Sequence, residues 1–149
     1  MDNSLYIYRP ILSMVYITRR ERFSSAHMLR KPEWSDEQNL ETFGKCSNPN
    51  WHGHNYVLHV TVKGEPNKET GFVANLSELS VIIKSKILDV VDHKNLNLDV
   101  PFMKGRLTST ENLAIGIWNE IKSEIDKLDC DLHCVKLQET ENNSVEYYG

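Results

Sequence analysis

The segment from Thr108 to Ile125 constrains the fold of this chain more than any other. Thr108 and Glu111 match the T-x-x-E capping box that begins a helix. An apolar stripe then recurs at helical spacing, at Leu113, Ile117, Ile121 and Ile125. Because only one side of such a helix is apolar, the helix must pack that side against another layer of secondary structure.

The other elements supply that layer. A second amphipathic helix is predicted over residues 77–90, and Ser35 with Gln38 predicts a short helix in "SDEQNLETFG". Strands are predicted over residues 12–26, in "HNYVLHVTVKGE" and "FVANL" as an antiparallel hairpin, and in "DLHCVKLQET" and "SVEYY" as a closing pair. A bend or bulge is expected in the first strand near residues 19–21. The order predicts an α+β fold, with an antiparallel sheet and two helices on one face.

A sheet covered on one face must expose or pair the other face and its edges, so self-association is expected. With 149 residues, 40% of them hydrophobic, the chain fits a single domain over residues 12–149 behind a tail over residues 1–11. No apolar run approaches the ~20 residues of a membrane span, so no membrane association is predicted.

Charge and cysteine content narrow the partners and the compartment. The net charge of −4 argues against nucleic acid as a partner, because phosphate binding relies on clustered Lys and Arg. The three cysteines are few and odd in number, and no secretory signal precedes them. Reduced thiols and a cytoplasmic location are therefore expected.

The stretch "FGKCSNPNWHGHNY", residues 43–56, carries the main chemical signal. His52 and His54 are two residues apart, so on a strand both imidazoles project from one side and can chelate one ion. Gly53 between them would also leave room for the ion. His27, at the end of the predicted first strand, is the candidate third ligand, and three imidazoles with an open position are typical of catalytic zinc. His59 and His133 have no partner at ligand spacing and are interpreted as structural or surface residues.

Cys46 has three interpretations at this point. It is the fourth ligand of a closed structural zinc site, a thiolate base or nucleophile beside an open zinc, or an inert loop thiol.

Several motifs in the same order resemble the 6-pyruvoyl-tetrahydropterin synthase family of the tunnelling-fold superfamily. They are "FSSAH", "FGKCSNPNWHGHNY", "LDVVDHKNLNLDVP", "STENLAIGIW" and "QETENN". The resemblance implies the tunnelling fold, with chains that oligomerise into a β-barrel as a homohexamer of two stacked trimers. It also implies a zinc-dependent lyase that converts 7,8-dihydroneopterin triphosphate to 6-pyruvoyl-tetrahydropterin and triphosphate in tetrahydrobiopterin biosynthesis.

The resemblance also assigns roles to individual residues. It places the zinc on His27, His52 and His54, the catalytic cysteine at Cys46, and the catalytic Asp-His pair at Asp92 and His93. The residue that anchors the pterin ring corresponds to Glu139, and Ser109, Thr110 and Glu111 correspond to further pocket residues. Arg19, Arg20 and Lys94 are candidates for the triphosphate on charge alone.

Two positions depart from the family pattern. Trp51 stands where relatives often have glycine, and Ser109 stands where a threonine is usual. Neither change removes a catalytic group.

Two alternatives stay open. The first is the 6-carboxy-tetrahydropterin synthase of the queuosine pathway, in which about three residues separate the cysteine from the H-x-H, whereas five do so here. The second is a zinc-stabilised binding module without turnover, which would unfold when the metal is removed.

Overall fold

A computed structural model of the protein describes residues 13–149. The predicted tail over residues 1–11 and the first residue of the predicted first strand lie outside this range, and the single-domain assignment stays a prediction. The described strands are β1 (Val15–His27), β2 (His52–Gly64), β3 (Lys94–Asn95), β4 (Asp131–Gln138) and β5 (Ser144–Tyr147). The helices are α1 (Asp36–Phe43), α2 (Leu76–Ile83), α3 (Asp89–Val91) and α4 (Thr110–Ile125).

The five strands form one mixed sheet in the order β3-β1-β2-β4-β5. Every neighbouring pair is antiparallel except β1 and β3, which run parallel. The prediction of α+β architecture is confirmed, whereas the prediction of a purely antiparallel sheet is wrong. The parallel strand was not predictable, because two residues are too few to show the alternation that marks a strand.

The partner of β2 also differs from the prediction. "FVANL" was expected to pair with β2, but it is not a strand, because the Asn75 side chain accepts a hydrogen bond from the Ser77 N–H and caps α2. β2 instead pairs over its whole length with β1, from Val15 opposite Gly64 to His27 opposite His52. No bulge interrupts this register near residues 19–21. The irregularity lies instead in the β2–β4 ladder, where Thr61 and Val62 face Cys134 and Leu132 and His133 is the extra residue on β4.

The helix boundaries follow the capping side chains. Ser35 and Gln38 form the predicted capping box at α1. The predicted helix over residues 77–90 is observed as α2, a π-helical turn (Lys84–Leu88) and α3 in succession. The capping box assigned to Thr108 and Glu111 is wrong, because Ser109 caps α4 by accepting a hydrogen bond from the Asn112 N–H.

The core lies between one face of the sheet and the helices. Alternate residues of β2 are fully buried on this side, namely Tyr56, Leu58, Val60 and Val62. They pack in one cluster with α2 and α4 residues such as Ile83, Ile117 and Ile121. Each such side chain contributes about 1.5–3 kcal/mol when buried, so the helices are held firmly on this face.

The opposite face of the sheet carries exposed residues of β1, including Thr18, Arg20 and Arg22. None of the helices within residues 13–149 has both the length and the hydropathy needed to cross a bilayer.

Candidate active site

Three histidines meet at the end of the β1–β2 pair. His27 is the last residue of β1 and lies directly opposite His52, the first residue of β2. His54 follows two residues later, so its side chain leaves the strand on the same face. The three rings each offer one nitrogen, and these nitrogens lie within 4.8 Å of one another. The sequence-predicted triplet is therefore assembled by strand register.

Gly53 allows close pairing of β1 and β2 and does not make room for an ion. A Cβ on Gly53 would lie 3.0 Å from the Ser25 carbonyl oxygen of β1, so glycine permits the two strands to approach closely. The expectation that Gly53 leaves room for the ion is not supported, because its missing side chain would point away from the face that carries the imidazoles.

Trp51, directly before the first histidine of the pair, has a φ of 66°. This left-handed conformation costs about 1–2 kcal/mol in a residue other than glycine. The glycine expected here from the family pattern would avoid that cost.

The histidines have the electrostatics of metal ligands. Burial lowers the pKa of His27, His52 and His54, so the imidazoles are neutral near pH 7. Within residues 13–149, the buried Nε2 of His27 and both ring nitrogens of His52 have no hydrogen-bond partner. Buried polar atoms are nearly always paired, and a bound cation would supply the missing partner of His27 Nε2 and of one His52 nitrogen.

Glu139 lies beside the triplet, just after β4. Its Oε1 is 3.7 Å from the Nε2 atoms of both His27 and His54, and it accepts a hydrogen bond of 2.8 Å from the Thr110 hydroxyl. A cavity of about 370 Å³ opens here and is lined in part by Cys46, Ser109, Thr110, Glu111 and Glu139. The structure thus brings Cys46 together with all four residues expected to bind substrate.

Cys46 sits in a 3₁₀ turn, Gly44–Ser47, that follows α1. Its carbonyl accepts a hydrogen bond of 2.8 Å from the Leu29 N–H, which ties the turn to the segment just after β1. The Ser47 hydroxyl closes the turn by donating to the Gly44 carbonyl. The thiol is half-buried and free; Cys130 and Cys134 are also free but are buried.

Asp92 and His93 follow α3 and form a pair of their own. Asp92 Oδ1 accepts a hydrogen bond from the Ser24 N–H, and Oδ2 lies 3.0 Å from Nδ1 of His93. The Ser24 N–H and the His93 imidazole hold the pKa of Asp92 below its usual value, so this carboxylate stays charged. His93 has a φ of 57°, an uncommon conformation that lets its side chain fold back onto Asp92.

The Asp-His pair is not in the cavity that contains Cys46. His93 and His54 line a second cavity of about 560 Å³, together with Lys94 and residues of β1 and β2. The His93 side chain is 83% exposed. Of the basic candidates for the triphosphate, Lys94 lines this second cavity, whereas Arg19 pairs with Glu21 at 2.6 Å.

Three residues near the triplet were given no role at the site from the sequence. Tyr56 is fully buried beside Glu139, and burial and that carboxylate raise the pKa of its hydroxyl. Its position two residues after His54 on one strand face was a usable signal. Thr108 and Asn97 contact the segment around His27 from loops distant in sequence, so no local pattern indicated them.

Comparisons with known proteins agree with this architecture. A family model described as 6-pyruvoyl tetrahydropterin synthase matches residues 16–149. The 6-pyruvoyl tetrahydrobiopterin synthase of Dictyostelium discoideum is 47% identical over 135 residues, which cover 91% of this chain and 96% of the relative. The solved structure of Caenorhabditis elegans 6-pyruvoyl tetrahydropterin synthase is 40% identical, with a TM-score of 0.85, and the match covers 93% of this chain and 97% of that one.

A relative with another activity is more distant. The 6-carboxy-5,6,7,8-tetrahydropterin synthase of Bacillus subtilis is 28% identical over 99 residues, which cover 65% of this chain and 64% of the relative. With a family model that spans nearly all of the described residues and relatives above 40% identity, the chain belongs to the 6-pyruvoyl tetrahydropterin synthase family.

Proposed function

We propose that the protein is a zinc-dependent lyase that converts 7,8-dihydroneopterin triphosphate to 6-pyruvoyl-tetrahydropterin and triphosphate, for tetrahydrobiopterin biosynthesis. The observation that carries the proposal is the meeting of the His27, His52 and His54 nitrogens, within 4.8 Å of one another, beside the cavity that holds Cys46 and Glu139. The names and identities of the relatives support the same reaction. The free thiols are consistent with a cytoplasmic enzyme.

In this proposal His27, His52 and His54 hold the zinc ion. A zinc ion bound there would supply Lewis-acid polarisation of the hydroxyl groups on the substrate side chain. The three imidazoles are neutral, so as ligands they would add no negative charge of their own to the site.

Glu139 orients the pterin ring. The amino-pyrimidine edge presents adjacent N–H donors, and a carboxylate can accept two hydrogen bonds from such an edge. The Thr110 hydroxyl already donates to Oε1, which fixes the carboxylate in the cavity before substrate arrives. Ser109 and Glu111 line the same cavity and complete the pocket in this proposal.

Cys46 removes a proton from the substrate side chain. The reaction moves redox equivalents from the side chain to the ring without an external oxidant, so protons must leave and return at carbon atoms. The thiolate is the form of cysteine that accepts a proton, and nearby positive charge, such as a zinc ion, favours it. Cys46 lines the same cavity as Glu139, so a ring anchored by that carboxylate would bring its side chain toward the thiol.

Asp92 and His93 relay or return protons. The charged Asp92 carboxylate accepts the hydrogen bond from Nδ1 of His93, which leaves Nε2 of the exposed ring free to exchange a proton. Because His93 and Cys46 line different cavities of one chain, we propose that a second copy brings its His93 to the cavity of Cys46. A homohexamer of two stacked trimers, as the family resemblance implies, would supply that copy.

Product identification tests the reaction. Zinc-loaded protein incubated with 7,8-dihydroneopterin triphosphate is expected to release triphosphate and to form a pyruvoyl pterin, measured by chromatography and mass spectrometry. Release of acetaldehyde would instead establish the 6-carboxy-tetrahydropterin reaction. Binding of the substrate without any product would support the non-catalytic module.

Mixed oligomers test the shared site. Cys46→Ala and His93→Ala chains carrying different tags would be co-expressed, and oligomers that contain both would be purified. If each site takes Cys46 and His93 from different chains, about a quarter of the sites in a random 1:1 mixture carry both intact residues, so about that share of wild-type activity is expected. Activity no higher than that of the separate variants would place both residues of a site on one chain.

A further inference from the structure

The main-chain carbonyl of Thr108 contacts the buried ring of His27. His27 is only 1% exposed, and its Nδ1 lies 2.8 Å from the Thr108 carbonyl oxygen. A carbonyl can only accept a hydrogen bond, so Nδ1 must carry the proton. The lone pair of the neutral ring is then on Nε2, the nitrogen that has no partner among residues 13–149. Thr108 thereby selects the tautomer that can bind a metal through Nε2.

A second set of hydrogen bonds fixes Thr108 itself. Its hydroxyl is fully buried and lies 3.2 Å from the Met28 carbonyl oxygen and 3.1 Å from Oδ1 of Asn97. The Asn97 amide group donates to the Met28 carbonyl at 2.9 Å and accepts from the Met28 N–H at 3.0 Å. Met28 is the residue after His27, so the chain is held on both sides of the histidine although β1 ends there.

These contacts close a ring of interactions around His27. The ring runs from the imidazole to the Thr108 carbonyl, through the Thr108 hydroxyl to Asn97 and Met28, and back along the main chain to His27. Rotation of the imidazole would break the bond to Thr108, and displacement of Thr108 would break its bonds to Met28 and Asn97.

The helix does not need the Thr108 hydroxyl. Ser109, not Thr108, caps α4, so the ordinary role of a threonine at a helix start is already filled by its neighbour. Asn97 lies in the loop after β3 and does not take part in the sheet ladder. The side chains of both residues are directed at the segment that carries His27.

We propose that Asn97 and Thr108 are positioning residues that preset the tautomer and orientation of His27 for metal binding. This inference rests on the proposed function, in which His27, His52 and His54 hold the metal. Outer groups that orient a ligating histidine typically change metal affinity by about 10–100-fold when they are removed.

The test measures zinc affinity by competition with a chelator, without any assay of turnover. Thr108→Val keeps the size of the side chain and the carbonyl that contacts His27 but removes the hydroxyl that fixes Thr108. It is expected to weaken zinc binding measurably, by up to the about 10–100-fold typical for loss of an outer partner. Thr108→Ser restores a hydroxyl and is expected to bind zinc much more tightly than Thr108→Val. The visible absorption of cobalt-substituted protein would change in Thr108→Val and return toward the wild-type spectrum in Thr108→Ser.

Asn97→Ala is expected to weaken zinc binding to a similar degree, and Asn39→Ala is its matched control. Asn39 is fully buried, and its amide group bonds to the main chain of Lys31, Trp34 and Ser35. Asn39→Ala therefore removes a comparable network without touching the segment around His27, and it should keep wild-type zinc affinity.

Two results would overturn the proposal: wild-type zinc affinity in Thr108→Val, or equal weakening in Asn39→Ala and Asn97→Ala. If Asn97→Ala does not fold, the valine and serine variants of Thr108 decide alone. A wild-type protein that binds no zinc would refute the metal assignment of the proposed function as well. If the wild type binds zinc and every variant binds it equally tightly, only the positioning role is refuted.

Discussion

Replacing Cys46 by alanine is expected to reduce turnover by about 10²–10⁴-fold, the usual contribution of a positioned general base. The zinc content and the fold should remain, because in the proposed site His27, His52 and His54 hold the ion without the thiol. Cys46 lies in a half-buried 3₁₀ turn outside the hydrophobic core, so removal of its sulfur leaves no large cavity. Steady-state kinetics, metal analysis and circular dichroism on one preparation would measure all three quantities.

Cys134→Ala is the matched control for this variant. Cys134 is a free thiol on β4, it is not among the residues that line the Cys46 cavity, and its substitution should leave turnover near the wild-type value. Loss of zinc from Cys46→Ala would show that the thiol is a ligand, and the assignment of Cys46 as the base would then fail. Unchanged turnover would show that Cys46 is an inert loop thiol, the third interpretation that the sequence allowed.

Long periodic segments of the fold were predictable because their burial pattern repeats. The alternation in β2 and the stripe in α4 each reflect one buried face, and both elements are observed close to their predicted ranges. The closing pair of strands, β4 and β5, was also predicted correctly. Such patterns report burial, so they identify an element but not the neighbour with which it pairs.

Two errors in the predicted fold have different causes, one a local capping bond and the other a tertiary contact. "FVANL" has the composition of a strand, yet the Asn75 side chain accepts a hydrogen bond from the Ser77 N–H and caps a helix that begins at Leu76. Thr108 and Ser109 are both good capping residues, and the choice of Ser109 depends on Met28 and Asn97, which engage Thr108 from far away in sequence. Local sequence contains no trace of either distant residue.

The site was predictable to the extent that it follows strand register. His52 and His54 share a face by periodicity, and His27 joins them because β1 and β2 pair with these residues at their ends. The contact between Asp92 and His93 was not predictable, because neighbouring side chains usually point apart and here a positive φ at His93 brings them together. The separation of His93 from Cys46 into two cavities likewise required the structure.

Removal of a single histidine of the triplet should abolish metal binding and activity while the fold persists. In His52→Ala only two of the three proposed nitrogen ligands remain. Loss of an outer-shell partner typically lowers metal affinity by about 10–100-fold, and loss of a ligand is expected to lower zinc affinity by more than that. Turnover should fall to background, because the Lewis-acid chemistry that a bound zinc ion would supply in the proposed reaction is lost. Isothermal titration with zinc and the product assay would measure the two effects.

The same variant separates a catalytic metal from a structural one. Proteins that depend on a structural zinc ion unfold without it, whereas this protein has an apolar core between the sheet and the helices that includes none of the three histidines. Denaturant unfolding of His52→Ala should therefore remain cooperative, with a free energy of unfolding within about 5–15 kcal/mol, the range of ordinary domains. His59→Ala, on the same strand but outside the triplet, should keep both zinc and turnover. Unfolding of His52→Ala together with retained fold in His59→Ala would favour the zinc-stabilised module, because the metal would then be needed for the structure rather than for the reaction.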